Sequence, residues 1–300
     1  MWHDDGEAAL RLEADLIPLN DRQSYVFLEK GQIDVKDGAF VVIDEEGVRT
    51  QIPIGGLACV LLQPGTRISH AAVQLASENG CLLVWVGDGA VRFYSAAKKL
   101  GRPDNTLYQA KLALDGKARL QIVREMFRRR FDEEPPKKRS VDQLRGIEGS
   151  RVKKLYSNFA RRYGVDWNGR KYDPQDWSKG DLANRCLSSG MACLYGVTEA
   201  AIHIAGYDPS IGFLHVGKRN SFVYDIADIY KFDLIVPKVF EIVSKHPSEA
   251  TRKVRREARD SFRKANLLKT LIDDINDILD AGELGRPETP DYAIGPKIEE

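Results

Sequence analysis

The chain of 300 residues has no apolar run of the roughly 18 residues that a membrane-spanning helix needs. Its first residues, MWHDDGEAALRLEADL, are acidic and polar, unlike a secretory leader. Cysteine is scarce: Cys59, Cys81, Cys186 and Cys193 form no C-x-x-C pair and have no zinc-like spacing to a histidine. They are expected to be reduced, mostly buried thiols of a cytoplasmic protein. Histidine is also rare, at five residues, and no HExxH or EF-hand spacing occurs. A zinc finger, a disulfide scaffold and an integral membrane protein are therefore disfavoured. With 43% hydrophobic and 30% charged residues, the composition fits a soluble globular protein.

Net charge is only +1, but it is unevenly divided. Residues 1–95 carry 7 Lys/Arg against 14 Asp/Glu, whereas residues 96–300 carry 38 against 30. A polyanion would favour the C-terminal part. The hydrophobic period changes near the same place. From Ser24 to about Ser95, short runs such as SYVFLEKG, AFVVIDEEG, LACVLLQPG and CLLVWVGDG read as strands broken by glycine turns. SHAAVQLASE, near 69–79, reads as one inserted helix.

After about Gly101 the period is helical, with helices expected over 106–114, 119–131, 141–163, 181–205, 222–243 and 252–281. Ser140 and Gln143 make a capping box, and Pro237 should kink or end its helix near Ile235. The expected fold is a two-domain α+β protein. An N-terminal all-β roll or sandwich (1–95, with its core at 16–95) precedes an all-α catalytic domain (96–284) and a flexible tail (285–300).

Three acids stand where acids are costly. On the helix from Val141, the residues Val141, Leu144, Val152, Leu155 and Phe159 fall within roughly 40° of Glu148. A carboxylate in that stripe must be neutralised, paired or bound to a cation. A pair with Arg145 or Arg151 and a functional role stand about even on periodicity alone. On the helix containing FVYDIADIYKFD, Asp225 lies among Phe222, Ile229, Phe232 and Val236, and Asp228 sits at the edge of that stripe. Complementing the helix dipole explains Asp225 but not its apolar face. With His215 in the preceding loop, these groups form a mixed oxygen and nitrogen donor set suited to Mg²⁺ or Mn²⁺.

A second signal is a ridge of arginines. Arg252, Arg255, Arg256, Arg259 and Arg263 fall within roughly 100° of arc, opposite Val254, Ala258, Phe262, Ala265 and Ile272. Glu257 and Asp260 are too few to balance them, so a duplex backbone is preferred to a solvated charged face. Tyr172, Trp177 and Tyr195 could stack on bases, although core packing is the plainer reading of aromatics alone.

Several long segments carry a resemblance. QLRGIEGSRVKKLY (143–156), WNGRKYDPQDW (167–177), CLYGVTEAAI (193–202) and GFLHVGKRNSFVYDIADIYKFD (212–233) resemble the CRISPR-associated integrase, the universal nuclease of spacer acquisition. PIGGLACVLLQPGTRISHAAVQLA (53–76) and LLVWVGDGAVRFYS (82–95) are similar to its β domain in the subtype I-E style, and the likeness spans roughly 16–284.

The resemblance implies Glu148, His215 and Asp228 as catalytic metal ligands, with Asp225 as an auxiliary ligand or a residue behind the ligands. It implies transesterification, in which a 3′-hydroxyl of short captured DNA attacks a phosphodiester at a CRISPR repeat boundary. It further implies DNA contacts from Lys218, Arg67, Arg92 and the 252–263 arginines, with Tyr172, Trp177 and Tyr195 around the pocket. The implied partners are double-stranded DNA, a second copy in a homodimer, and a small ferredoxin-like adaptation protein in a heterohexamer. Lys30 departs from the family, whose members carry an aromatic nearby that braces the captured duplex. A structure-selective nuclease without integration, and a non-catalytic DNA-binding scaffold, are the competing readings.

Overall fold

The computed structural model describes residues 24–287 except 29, 45, 55–56, 80, 88–92, 98–102 and 172–179. Arg92, Tyr172 and Trp177 therefore lie outside the described residues. The chain is a two-domain α+β protein, with strands first and helices after.

The strands are β1 (Ser24–Leu28), β2 (Gly31–Lys36), β3 (Ala39–Ile43), β4 (Arg49–Ile52), β5 (Leu57–Leu62), β6 (Thr66–Ile68), β7 (Leu82–Val86) and β8 (Phe93–Ala97). They form two four-stranded sheets, ordered β1-β5-β7-β8 and β4-β3-β2-β6. Asp37 and Gly38 join β2 to β3 with φ of 52° and 71°, the left-handed pair that a two-residue hairpin requires. The QPG break makes no such hairpin: β6 pairs with β2 rather than with β5, and β1, β5 and β7 run parallel. The return from β5 to β7 uses helix α1 (His70–Glu78), whose N-cap Ser69 side chain accepts from the Ala72 N–H.

Strands β5 and β7 bury side chains on both faces, and their alternation divides these between two cores. Cys59, Leu61, Leu82 and Val84 join the helical core, whereas Val60, Leu62 and Leu83 pack with α1 and the second sheet. Strand β8 runs to Ala97, two residues past the expected boundary at 95/96.

The remaining helices are α2 (Pro103–Leu114), α3 (Gly116–Phe131), α4 (Val141–Tyr163), α5 (Leu182–Ile204), α6 (Ser221–Leu234), α7 (Val236–Lys245), α8 (Ala250–Lys264) and α9 (Leu267–Asp280). Two of the expected helices, 222–243 and 252–281, are each broken. Pro237 ends α6 at Ile235, as its missing N–H demands. Asn266 adopts φ 45° and separates α8 from α9, a left-handed stop to which asparagine is well suited.

Helix α5 runs through the middle with most of its residues buried. At Gly190 an added Cβ would stand 2.8 Å from Ile235 Cγ2 and 3.2 Å from Val254 Cγ1, so only glycine lets α7 and α8 come so near. The segment expected to be a flexible tail begins tied down. Lys111 Nζ donates to Gly285 O, and Arg286 bonds Asn105 and lies over the Tyr108 ring.

Candidate active site

Helix α4 starts at the expected capping box, with the Ser140 side chain accepting from Gln143 N–H and the Gln143 side chain accepting from Ser140 N–H. That start sets the helix phase. Leu144, Glu148, Tyr156 and Ala160 share its buried face, and Glu148 is 7% exposed. Helix α6 buries Asp225 and Asp228 beside Phe222 and Ile226.

Glu148, Asp225, Asp228 and His215 all line one cleft, walled by Met126, Phe127, Leu144 and Leu214. The structure thus brings together, on α4, α6 and the loop before α6, the groups that the sequence singled out. Neither Arg145 nor Arg151 neutralises Glu148. Arg145 pairs with Asp142, while Arg151 pairs with Glu133 and lies over the Phe127 and Phe131 rings.

The partner of Glu148 is Arg130, from α3. One guanidinium prong meets Glu148 and the other meets Asp228 Oδ2 at 3.0 Å. The Arg130 side chain is only 4% exposed. Lys231 Nζ stands 2.9 Å from the same Asp228 oxygen. Burial alone would raise the Asp228 pKa, but Lys231 and Arg130 outweigh it and hold the carboxyl below its usual range.

Asp225, expected as an auxiliary ligand or a residue behind the ligands, is held by the loop before α6. Its Oδ2 accepts from the N–H of Phe213 at 2.6 Å and of Leu214 at 3.1 Å. Its Oδ1 accepts from the His215 N–H at 2.9 Å and lies 2.7 Å from His215 Nδ1. With its side chain fully buried, the carboxylate is spent on folding the 213–215 loop. Gly212 permits this fold, since an added Cβ would lie 2.7 Å from Ser221 Cβ.

The Asp225 contact places the imidazole proton on Nδ1 and leaves Nε2 as the ring's free lone pair, the arrangement common behind metal-bound histidines. Burial disfavours a charged His215, but the hydrogen bond and charge of Asp225, with Asp228 and Glu148 beyond, raise its pKa above the usual value.

Two carboxylates and an imidazole with an oriented free nitrogen fit Mg²⁺ or Mn²⁺ by donor chemistry. The same two carboxylates already hold a cationic group between them, which fits a site built for positive charge. Among the described residues, however, no three His, Cys, Asp or Glu side chains stand close enough together to enclose a metal ion.

Tyr195 packs edge-on to Tyr224 at 5.1 Å, His215 meets the same ring at 5.9 Å, and Lys218 Nζ lies 5.9 Å from its centroid. Lys218 is exposed, as is Arg67 on β6. On α8, Arg252, Arg256 and Arg263 are exposed and Arg255 and Arg259 half-buried, opposite the buried Val254, Ala258 and Phe262. A groove between α7 and α8 adds Lys238, Lys245 and Lys253 beside Arg256, with Glu241 and Glu257 as its acids.

Arg130, Lys231 and Tyr224 were not anticipated. Arg130 had a signal, because it lies three and four residues after Phe127 and Met126 on the apolar face of α3.

Glu199, on α5, is a further buried acid, and it lies outside the cleft. It is 4% exposed, with Asn220 Nδ2 at 3.3 Å. Burial raises its pKa from the usual 4.5 to about 7, against the opposing pull of Arg219 and Asn220. The folded state therefore binds this proton more tightly than the unfolded chain does. Stability should fall as pH rises from about 4.5 to about 7, by about 3 kcal/mol at most. Glu199→Gln should raise the melting temperature near about pH 8 and leave it unchanged near about pH 5. Equal shifts at both pH values in thermal melts would overturn this assignment.

These features find their counterpart in known proteins. Residues 24–135 and 130–276 match the family described as CRISPR associated protein Cas1. The chain is 59% identical over 278 residues to the CRISPR-associated endonuclease Cas1 of Escherichia coli (strain K12), covering 92% of this chain and 91% of that protein. It is 55% identical over 279 residues to the protein of the same name from Geobacter sulfurreducens, covering 93% and 91%. Among solved structures, the TtCas1-DNA complex superposes with a TM-score of 0.76 at 39% identity, covering 87% of this chain and 97% of that one. A casposase bound to integration product shares the fold, with a TM-score of 0.60 at 14% identity. The architecture, a strand-rich domain followed by a helical one, is that of proteins named endonucleases. The chain belongs to the CRISPR-associated Cas1 family.

Proposed function

We propose that this chain is a divalent-metal-dependent DNA endonuclease and integrase of CRISPR adaptation. On this reading it joins the 3′-OH ends of short captured DNA to CRISPR repeat boundaries by transesterification. The observation that carries the reading is the convergence of Glu148, Asp228 and His215 on one buried cleft from separate segments of the chain. Relatives named endonucleases and a relative solved with DNA support it.

Glu148, Asp228 and His215 Nε2 would hold Mg²⁺ or Mn²⁺. The bound ion would lower the pKa of the attacking hydroxyl and neutralise charge at the phosphate. Asp225 holds the His215 ring and loop in place from behind. Lys218, Arg67, Arg92 and the α8 arginines hold the DNA backbone, while Tyr172, Trp177 and Tyr195 flank the reacting strand. The attacking 3′-oxygen forms a new P–O bond as the opposite P–O bond breaks, and the leaving oxygen takes up a proton. No bond to the protein is needed. With water as nucleophile the same arrangement hydrolyses the strand. The same reading places the protein in the cytoplasm as a homodimer, assembled with a small ferredoxin-like partner into a heterohexamer.

The test is a joining assay with the partner, a short duplex bearing free 3′-OH ends, and supercoiled repeat DNA. Joined product is expected, and none once the 3′ ends are blocked. Product from blocked ends would refute hydroxyl attack. Cleavage without joining would mark a nuclease only, and binding without either would mark a scaffold.

A further inference from the structure

Arg130 is the feature of the cleft that the proposed chemistry does not use. Its guanidinium reaches from α3 and places one prong on Glu148 of α4 and the other on Asp228 of α6. It thus spans the two carboxylates that the proposed function assigns to a divalent cation. The side chain is 4% exposed, so water and salt screen these contacts poorly.

Charge also balances without any added ion. Glu148 and Asp228 face Arg130 and Lys231, two charges of each sign, while Asp225 is held by the 213–215 backbone N–H groups and His215. An incoming ion of charge +2 would overfill this site unless a resident cation left. Arg130 is the one whose leaving removes a cation from both carboxylates at once, because the Lys231 contact is with Asp228, at the same Oδ2 that Arg130 holds.

A second observation concerns how firmly Arg130 is held. Its Nε is buried and faces no hydrogen-bond acceptor among the described residues. A buried donor without an acceptor costs about 1–3 kcal/mol. The guanidinium therefore sits in a pose that satisfies its two prongs but not its third donor position. A group held this way neutralises the acids when they are otherwise unpaired, yet yields to a stronger cation.

We propose that Arg130 is a built-in competitor for the metal site, a resident counter-ion that keeps Glu148 and Asp228 paired until a divalent cation displaces it. The inference rests on the proposed function, since it takes those two acids as metal ligands. Arg130 is then a positioning and regulatory residue. It keeps the acids soluble in the apolar cleft and sets the cation concentration at which the site becomes competent.

The test is calorimetric titration of Mn²⁺ into the wild-type chain, Arg130→Gln and Glu148→Gln, without DNA. Competition predicts that Arg130→Gln binds Mn²⁺ at least about tenfold more tightly than wild type, and that Glu148→Gln loses the binding. It also predicts that Mn²⁺ raises the melting temperature of Arg130→Gln by more than it raises that of wild type. Equal or weaker Mn²⁺ affinity in Arg130→Gln, with binding still dependent on Glu148, overturns the competitor role and leaves the proposed function standing. No Glu148-dependent binding in either the wild-type chain or Arg130→Gln overturns both. Should Arg130→Gln fail to fold, a crystal structure of the wild-type chain with Mn²⁺ decides. An anomalous peak between Glu148 and Asp228 with the guanidinium moved away supports the proposal, and a peak with Arg130 still bridging both acids, or no peak there, overturns it.

Discussion

Glu148→Ala is expected to abolish strand cleavage and joining, by about 10³-fold or more, while leaving DNA affinity nearly intact. The two effects separate because different parts of the chain produce them. Glu148 is buried on α4, and the exposed cations proposed to hold DNA lie on α8, on β6 and in the loop before α6. On the proposed function, losing the Glu148 carboxylate removes charge stabilisation in the transition state, where each 1.36 kcal/mol is worth tenfold in rate.

The substitution also leaves Arg130 paired with Asp228 alone, so a loss of stability of about 1–3 kcal/mol should accompany it. Joining and cleavage assays beside equilibrium DNA binding, with melting temperature measured on the same samples, check the expectation. If DNA binding falls in parallel with activity, Glu148 is a structural acid and the cleft is not the reaction centre.

Much of the site could be read from the sequence because burial of charge is a periodic signal. Glu148 stands out once the α4 stripe is drawn, and Asp225 and Asp228 stand out the same way on α6. What periodicity cannot supply is the partner across space. It offered Arg145 and Arg151 to Glu148 because they lie one helical turn away, whereas the structure supplies Arg130 from another helix. Nor can periodicity distinguish a ligand from a clasp. Asp225 and Asp228 have similar positions on α6, yet one is consumed by backbone N–H groups and the other faces cations.

The fold shows a similar division. Alternation and capping located the strands other than β6, with α1 and α4, because those signals are local. The helix read across 252–281 hid a break, since one asparagine at a left-handed φ leaves the apolar period of α8 and α9 almost undisturbed. The parallel order of β1, β5 and β7 is a non-local choice. Its only trace in the sequence is the run of apolar residues on both faces of LACVLL and LLVWV.

The difference between a ligand and a clasp leads to the second large effect. Asp225→Ala should destabilise the protein by about 3–5 kcal/mol, because three backbone N–H groups at 213–215 lose their acceptor where the side chain is fully buried. The loop would no longer present His215, so joining should also be lost. Asp225→Asn is the sharper variant. Its amide keeps one accepting oxygen, but its NH₂ would face N–H donors that the carboxylate now satisfies, so it should be nearly as damaging as alanine.

Asp228→Asn, facing Arg130 and Lys231 rather than backbone donors, should lose activity at a smaller cost in stability. Urea unfolding of the three variants beside joining assays separates the roles. An Asp225→Asn protein as stable as wild type, deficient only in Mn²⁺ binding, would return Asp225 to the ligand set. A protein that unfolds at markedly lower urea, and binds Mn²⁺ normally where it remains folded, places Asp225 behind the histidine as the group that gives the loop its shape.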